Sequence, residues 1–337
     1  MSARMSAPNN AEPGLGTAAF APERNLYLHS YLQPLRHWLD DPQVTEILIN
    51  RPGEVWIERI GEPTMRREQV AAIDDVLLQR LATQIARASH QGINREQPLL
   101  AATLPGGERI QIVGPPATRA GWALAIRRHI GIDLRLDDYR IAAGANASGA
   151  GSVFPPTLDG LRAAVAARRT VLISGGTSSG KTTLLNAMLR EIPAHERVVA
   201  VEDTPEIRLH QANSLGLVAV RDEQGEARID TDALLRAALR LRPDRIVLGE
   251  LRGAEAVTFL RAINTGHPGS FSTIHANTPQ GALQQLALMV VQAGIGLSRA
   301  DALAYVHGLV DLVVQVGRVD GERRIMAILD VPGSFAA

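Results

Sequence analysis

The chain has 337 residues, enough for two domains of the usual size of about 100 to 200 residues. Apolar residues make up 45% and charged residues 21% of it, a globular composition that excludes disordered, collagen-like and membrane-embedded classes. The 35 acidic and 35 basic residues balance, which removes the bulk electrostatic argument for a dedicated nucleic-acid-binding protein. The chain has no cysteine, so disulfides and thiolate metal sites are excluded.

The N-terminal part of the chain predicts a small α+β domain over residues 26–135. Residues 1–25 lack the apolar run of a secretory signal, and we expect a flexible leader there. Helical spacing of apolar residues begins at Leu26, the runs VTEILIN and EVWIE flank a Pro-Gly turn, and a second helical pattern covers about Ile73 to Ser89. Two further strands, ERIQIV and WALAIRR, carry Arg109 and Arg127.

A change of composition separates this domain from the rest. Residues 136–157 are rich in Gly, Ala, Ser and Pro and predict a linker. In residues 158–337 strands alternate with helices, beginning with TVLIS, VVAVE, RIVLG and SFSTI, and a C-terminal hairpin follows around an Asp-Gly turn. The fold class is therefore α/β, with a mainly parallel sheet covered by helices in the C-terminal domain.

A glycine-rich segment after TVLIS matches the pattern GxxxxGK[ST] in its required place between a strand and a helix. Its glycines allow backbone N–H groups to approach phosphate oxygens, and the helix presents its positive end to the same anion. Lys181 is the single lysine and the other 34 basic residues are arginines, so the one compact ammonium group stands at the motif position. The predicted phosphate-binding residues are Gly175, Gly176, Thr177, Ser178, Ser179, Gly180, Lys181, Thr182 and Thr183.

Acidic residues follow two other strands of the predicted sheet. Glu250 directly follows RIVLG, Glu202 is the last residue of VVAVE and Asp203 follows it, so all three are expected at the carboxyl edge, where ligands bind in open α/β sheets. We expect these carboxylates to share two tasks, so that one coordinates the metal ion and another activates the attacking water. We expect Mg²⁺ at Thr182 and Glu250, directly or through a water molecule.

Histidine and arginine side chains complete the candidate site. His275 follows the strand SFSTI, where it is placed to face a γ-phosphate, whereas His267 precedes Pro-Gly and fits a turn residue equally well. Arg252 comes just past Glu250, and Arg109 and Arg127 come from the other domain. Although arginines usually form a solvated face, some are expected to reach phosphate from a companion domain or a neighbouring subunit.

Together these motifs resemble the hexameric secretion and pilus motor ATPases, and within them the traffic ATPase of type IV secretion and conjugation systems. The resemblance covers about Leu26 to Val331. Its most specific feature is the order of phosphate loop, acidic box, LGE strand end and histidine box. The matching segments are WLDDPQVTEILINRPGEVWIE, LPGGERIQIVGPP, AIRR, GGTSSGKTTLLNAM, VEDTPEIRL, LRLRPDRIVLGELRG and GHPGSFSTIHANTP.

The resemblance implies a RecA-like ATPase domain that follows a smaller N-terminal domain, with ATP bound between them. It implies a homohexamer in the cytoplasm, at the cytoplasmic face of the inner membrane, that docks on inner-membrane components of a secretion machine without sequence-specific nucleic-acid binding. By the same resemblance, Lys181 and Thr182 bind phosphate and Mg²⁺, and Arg109 and Arg127 contact the nucleotide. The resemblance implies catalytic roles for Glu250, Glu202 and His275, to which the position of Arg252 adds a fourth candidate, and which glutamate is the base stays open.

Three alternatives stay open at this point. A pilus retraction or assembly motor of the same superfamily would share these motifs, although ERIQIVGPP is closer to the secretion branch. A nucleotide-gated assembly scaffold would need ATP binding without productive turnover. A RecA-like nucleic-acid translocase is disfavoured by the neutral net charge and by an aromatic content of only 4%, since single-strand channels combine basic grooves with stacking side chains. Neither DNA nor protein is favoured as cargo.

Overall fold

The computed structural model describes residues 22–62, 64–128, 133–142, 145, 155–220, 229–319 and 321–331. The chain forms two compact units, Met1–His129 and Ile130–Ala337. Most of the predicted leader, residues 1–21, lies outside the described residues, and the first helix begins at Pro22. Among the described residues, no helix combines the length and apolar character needed to cross a bilayer.

The first unit is an antiparallel six-stranded sheet with helices packed on it, in the order β3-β2-β1-β6-β5-β4. The elements of the first unit are α1 (Pro22–Leu32), α2 (Arg36–Leu39), α3 (Asp75–Ala88), β1 (Val44–Arg51), β2 (Glu54–Arg59), β3 (Arg66–Gln69), β4 (Leu99–Thr103), β5 (Arg109–Val113) and β6 (Ala123–Arg127). The side chain of Asp74 accepts a hydrogen bond from the backbone N–H of Leu77 and so caps the N-terminus of α3.

Two strands of this sheet are absent from the sequence-based prediction, and both lie at its edges. β3 has the sequence RREQ and contains no apolar residue, while β4 has the sequence LLAAT with only Leu100 buried. An edge strand needs to cover little core, so its sequence carries no strong apolar alternation. The four inner strands, whose apolar residues are buried, are the ones that the sequence predicted.

The second unit contains an eight-stranded sheet in the order β10-β9-β11-β12-β8-β13-β14-β7, which is largely parallel and thus confirms the predicted fold class. Apolar clusters lie on both of its faces. Its strands are β7 (Arg140–Ile141), β8 (Val171–Ser174), β9 (Val198–Glu202), β10 (Ser214–Val218), β11 (Arg245–Leu251), β12 (Phe271–Ile274), β13 (Leu312–Val319) and β14 (Glu322–Asp330). Its helices are α4 (Leu158–Ala166), α5 (Lys181–Leu189), α6 (Thr231–Ala238), α7 (Glu255–Asn264), α8 (Pro279–Gln292) and α9 (Arg299–His307).

The beginning of the predicted linker is part of this second unit. Leu136 and Tyr139 are buried in its core, and β7 pairs with β14, an antiparallel partner of β13. Residues 143, 144 and 146–154 of the predicted linker lie outside the described residues. The composition of residues 136–157 therefore does not predict β7, a short edge strand that forms where β14 offers its hydrogen bonds.

A buried ion pair lies at the amino-terminal end of β11. Arg245 has no exposed surface and donates to both carboxylate oxygens of Glu196, at 2.6 Å from Nε and 2.9 Å from Nη2. Arg168 approaches the same carboxylate at 3.4 Å. The hydrogen bond with Arg245 is the main reason that the pKa of Glu196 lies below its ordinary value, against the opposing effect of burial.

We predict that Glu196→Gln destabilises the second unit by about 3 kcal/mol at pH 7, because it leaves a buried guanidinium without its charge partner. Since the pKa of Glu196 is lowered by folding, its contribution is present above the unfolded pKa and is lost as the pH falls through the folded pKa. Urea denaturation at pH 7 and at stepwise lower pH measures both effects. The control Glu322→Gln, which affects an exposed ion pair with Arg324, should cost less than about 1 kcal/mol, and equal losses would contradict the prediction.

Candidate active site

The phosphate loop connects the buried strand β8 to α5, as the motif predicts. Two residues adopt positive φ, 56° at Ser178 and 99° at Gly180, and the latter directly precedes the helix. A side chain at Gly175 is excluded, because a Cβ there would lie 2.4 Å from Oγ of Ser179 and 2.6 Å from the carbonyl oxygen of Val316. The loop can therefore turn its N–H groups inward while packing tightly against the neighbouring strand.

Lys181 lies inside this loop and is only 9% exposed. Its ammonium group donates to the carbonyl oxygens of Gly175, at 3.1 Å, and Gly176, at 2.9 Å. It is also 3.3 Å from Nδ1 of His275. The only lysine of the chain thus has carbonyl partners that a phosphate group can replace at the N-terminus of α5.

The other candidate residues converge on the same edge of the sheet. In the order β9-β11-β12-β8, neighbouring parallel strands carry Glu202, Glu250, His275 and the phosphate loop at or just beyond their carboxyl ends. Ile274 pairs with Ser174, so the next residues along the two strands, His275 and Gly175, are also brought together. The structure therefore assembles in the second unit the groups that the sequence placed at separate strand ends.

Glu250 lies at the centre of a connected polar network. Its Oε1 is 2.5 Å from Nε2 of His275, and its Oε2 accepts a hydrogen bond of 2.6 Å from Nε of Arg252. Arg252 also contacts Asp203, with Nη1 3.1 Å from Oδ2. Nζ of Lys181 lies 3.3 Å from Nδ1 and 3.4 Å from Nε2 of His275, so the imidazole ring stands between the lysine and the carboxylate of Glu250.

The same network maintains the positive charge of Arg252. Burial acts to lower the pKa of Arg252, but its hydrogen bond with Glu250 and the charges of Glu250, Asp203 and Glu255 raise it above the ordinary value. The guanidinium therefore stays charged and fixes the orientation of the Glu250 carboxylate. This arrangement makes Arg252 a positioning group for Glu250.

Glu202 has a different environment from Glu250. It is buried, and its Oε2 accepts hydrogen bonds from the backbone N–H groups of Glu206, at 2.7 Å, and Ile207, at 2.9 Å. A Cβ on Gly249 would lie 3.1 Å from Cβ of Glu202, so the glycine allows β9 and β11 to approach each other at this point. Glu202 therefore holds the loop that follows β9, whereas Glu250 faces His275 and Arg252.

Two polar side chains that the sequence analysis did not select position the histidine segment. Ser174 and Gln315 both donate to the carbonyl oxygen of Ala276, at 3.3 Å and 3.2 Å. These bonds fix the backbone just after His275. Each of the two follows a run of three apolar residues in its strand, VLI or LVV, and this pattern is visible in the sequence. Which strands are neighbours in the sheet is known only from the structure.

His267 has a structural role. Its Nδ1 lies 3.0 Å from the carbonyl oxygen of Ala262 in the last turn of α7, and its own carbonyl oxygen accepts a hydrogen bond from Ser270. The histidine thereby closes the end of the helix, as a turn residue would.

Arg109 and Arg127 belong to the first unit, where they lie directly opposite each other on β5 and β6. Like charges at such a position are unfavourable unless an anion or a carboxylate lies nearby. Arg127 is also opposite Glu46 on β1, with 3.8 Å between its Nε and Oε1 of the glutamate. The structure thus brings the two arginines together on one face of the sheet in the first unit.

The residues around the loop fit a magnesium ion. Mg²⁺ prefers oxygen ligands and is usually held by one or two carboxylates together with phosphate oxygens and water. Thr182, in the first turn of α5, offers a partly exposed hydroxyl, and Glu250 offers a carboxylate. Among the described residues, no group of three or more His, Asp or Glu side chains is arranged to hold a metal ion.

Comparisons with known proteins agree with this site. Residues 30–318 match the family described as type II/IV secretion system protein. The chain is 40% identical over 329 residues to the type IV secretion system protein PtlH of Bordetella pertussis, an alignment that covers 92% of this chain and 96% of the relative. It is 36% identical over 331 residues to VirB11 of Bartonella quintana, with coverage of 88% and 91%.

Among solved structures, the pilus retraction motor PilT with bound ADP superposes on this chain with a TM-score of 0.59. The match covers 90% of this chain and 81% of the other at 18% identity, which shows a shared fold. Because the family match spans most of the chain and both relatives exceed 30% identity, this chain belongs to the type II/IV secretion system protein family and is an ATPase.

Proposed function

We propose that this chain is the protomer of a homohexameric motor that couples ATP hydrolysis to substrate translocation and pilus biogenesis in a type IV secretion machine. The observation that carries the proposal is the connected network of Lys181, His275, Glu250 and Arg252 beside the phosphate loop. The relatives PtlH and VirB11, named as components of type IV secretion systems, support this assignment over a role in pilus retraction.

In the proposed mechanism, ATP replaces the carbonyl partners of Lys181, whose ammonium group then bridges the β- and γ-phosphates. Thr182 and Glu250 would hold Mg²⁺, directly or through water, and a bound ion would supply positive charge to the phosphate oxygens. Glu250 accepts the proton of the attacking water, while His275 and Arg252 hold its carboxylate in position. Glu250 is the better base because two backbone amides already engage an oxygen of Glu202.

The assembly belongs to the same proposal. Six copies form a ring at the cytoplasmic face of the inner membrane and dock on membrane components of the secretion machine. Arg109 and Arg127 contact phosphate groups of the nucleotide in the assembled ring. Their positions opposite each other on β5 and β6 support this role, since two guanidinium groups on one face of a sheet can both reach phosphate oxygens.

We predict that Lys181→Ala lowers the rate of ATP hydrolysis at least about a hundredfold, because the charge that stabilises the transferring phosphate is lost. Steady-state phosphate release from the purified protein measures the rate. The control Arg236→Ala removes an exposed cation that pairs with Asp232 on α6 and should leave the rate near that of the wild type. Undiminished hydrolysis by Lys181→Ala would exclude the proposed active site.

The two glutamates should respond differently to loss of charge. We predict that Glu250→Gln lowers kcat by about 10² to 10⁴ while ATP still binds, because the general base is removed. Glu202→Gln keeps an oxygen that accepts from Glu206 and Ile207, so its kcat should fall less than about tenfold. The reverse order would make Glu202 the base, and substrate transfer in cells by Glu250→Gln would favour a nucleotide-gated scaffold.

Light scattering after size-exclusion chromatography tests the assembly. In Mg²⁺-ATP the wild type should have a mass near six times 36.2 kDa, and nucleotide should stabilise this species. Lys181→Ala should show no such stabilisation, since its phosphate contact is lost. A strict monomer under every condition would contradict the ring motor.

A further inference from the structure

Arg323 packs directly against the phosphate loop from β14. A Cβ placed on Gly180 would lie 2.6 Å from Cδ and 2.7 Å from Nε of this arginine. Gly180, at a φ of 99°, is the last loop residue before Lys181 begins α5. The guanidinium of Arg323 is therefore held beside the helix N-terminus where the proposed nucleotide phosphates bind.

The surroundings of Arg323 are electrostatically unfavourable for a cation. It lies at the positive end of the α5 dipole and directly opposite Arg318, its partner in the pairing of β13 with β14. Within the described part of the chain, Arg323 has no ion pair, and its buried Nε has no hydrogen-bond acceptor. Burial first, and then the charge of Arg318, lowers the pKa of Arg323.

Tyr139 is a buried neighbour of Arg323. It is only 2% exposed, its hydroxyl has no hydrogen-bond partner among the described residues, and burial raises its pKa. Arg323 and Tyr139 each affect the other's pKa, so the two groups are close. An anion that meets Arg323 here would be weakly screened, which strengthens its attraction to the guanidinium.

We propose that Arg323 is a further nucleotide-binding residue, whose guanidinium contacts the α- and β-phosphates of a nucleotide bound to the phosphate loop. The proposal rests on the proposed function, because it adds a ligand contact to that same site. Arg323 has no carboxylate partner among the described residues and packs against Gly180, so its position becomes favourable once a polyanion binds. The proposal thus explains why an arginine lies at the positive end of α5.

The test compares Arg323→Gln and Arg323→Lys with the control Arg318→Gln, which removes the exposed arginine on the opposite strand. Affinities for ATP and ADP are measured by calorimetry on the full chain, together with KM and kcat. Arg323→Gln should weaken both nucleotides about tenfold and raise KM similarly, with little change in kcat. Arg323→Lys should recover most of the affinity, and Arg318→Gln should stay within about twofold of the wild type.

Wild-type affinity for both nucleotides in a folded Arg323→Gln protein would overturn the proposal, even if its thermal midpoint were lower. Equal weakening by Arg323→Lys and Arg323→Gln would also overturn it, because charge would then not be the cause. Loss of ATP affinity alone would place the contact at the γ-phosphate and contradict the assignment to the α- and β-phosphates. A wild type that binds ADP but does not hydrolyse ATP would contradict the motor and leave the Arg323 comparison valid.

Discussion

The active site depends on the parallel register of the strands in the second unit. Residue pairs such as Ile274 with Ser174 align the carboxyl ends of β12 and β8, and the pairing of β11 with β9 aligns the two glutamates on the same edge. Since backbone hydrogen bonds fix this register, a shift of one residue would turn the strand's side chains to the other face of the sheet. His275 and Gly175 are neighbours because the strands before them are paired.

The two ends of β11 have different roles, since the groups at its amino end stabilise the fold and the groups at its carboxyl end belong to the candidate active site. At the amino end of β11, Arg245 and Glu196 form a buried ion pair held by two hydrogen bonds. At the carboxyl end, Glu250 pairs with partially exposed His275 and Arg252. A partially exposed network can rearrange when an anion binds, whereas the buried pair cannot do so without a large loss of stability.

Positive charge is concentrated around the phosphate loop. Lys181 lies within it, the N-terminus of α5 points at it, and Arg323 packs behind Gly180. The carboxylate of Glu250, which contacts His275 and Arg252, provides negative charge near these cations. Such an arrangement favours binding of an anion, because water screens the positive charges less in a partly buried site than at an open surface.

The sequence by itself determined the α/β class, the phosphate loop and the strand ends that carry Glu250, Glu202 and His275, because these signals are local. A glycine-rich turn between a buried strand and a helix needs no distant partner to be recognised. The edge strands β3, β4, β7 and β10 were not predicted, since edge strands carry little apolar pattern and form only where a neighbour offers its hydrogen bonds.

Only the tertiary structure decided how the candidate residues differ. Glu202 and Glu250 both end buried strands, yet one accepts from the backbone of its own loop and the other joins His275 and Arg252. The approach of Arg323 to Gly180 likewise joins positions more than a hundred residues apart. Side-chain environment depends on which strands become neighbours, and sequence periodicity reports only which face of a strand is buried.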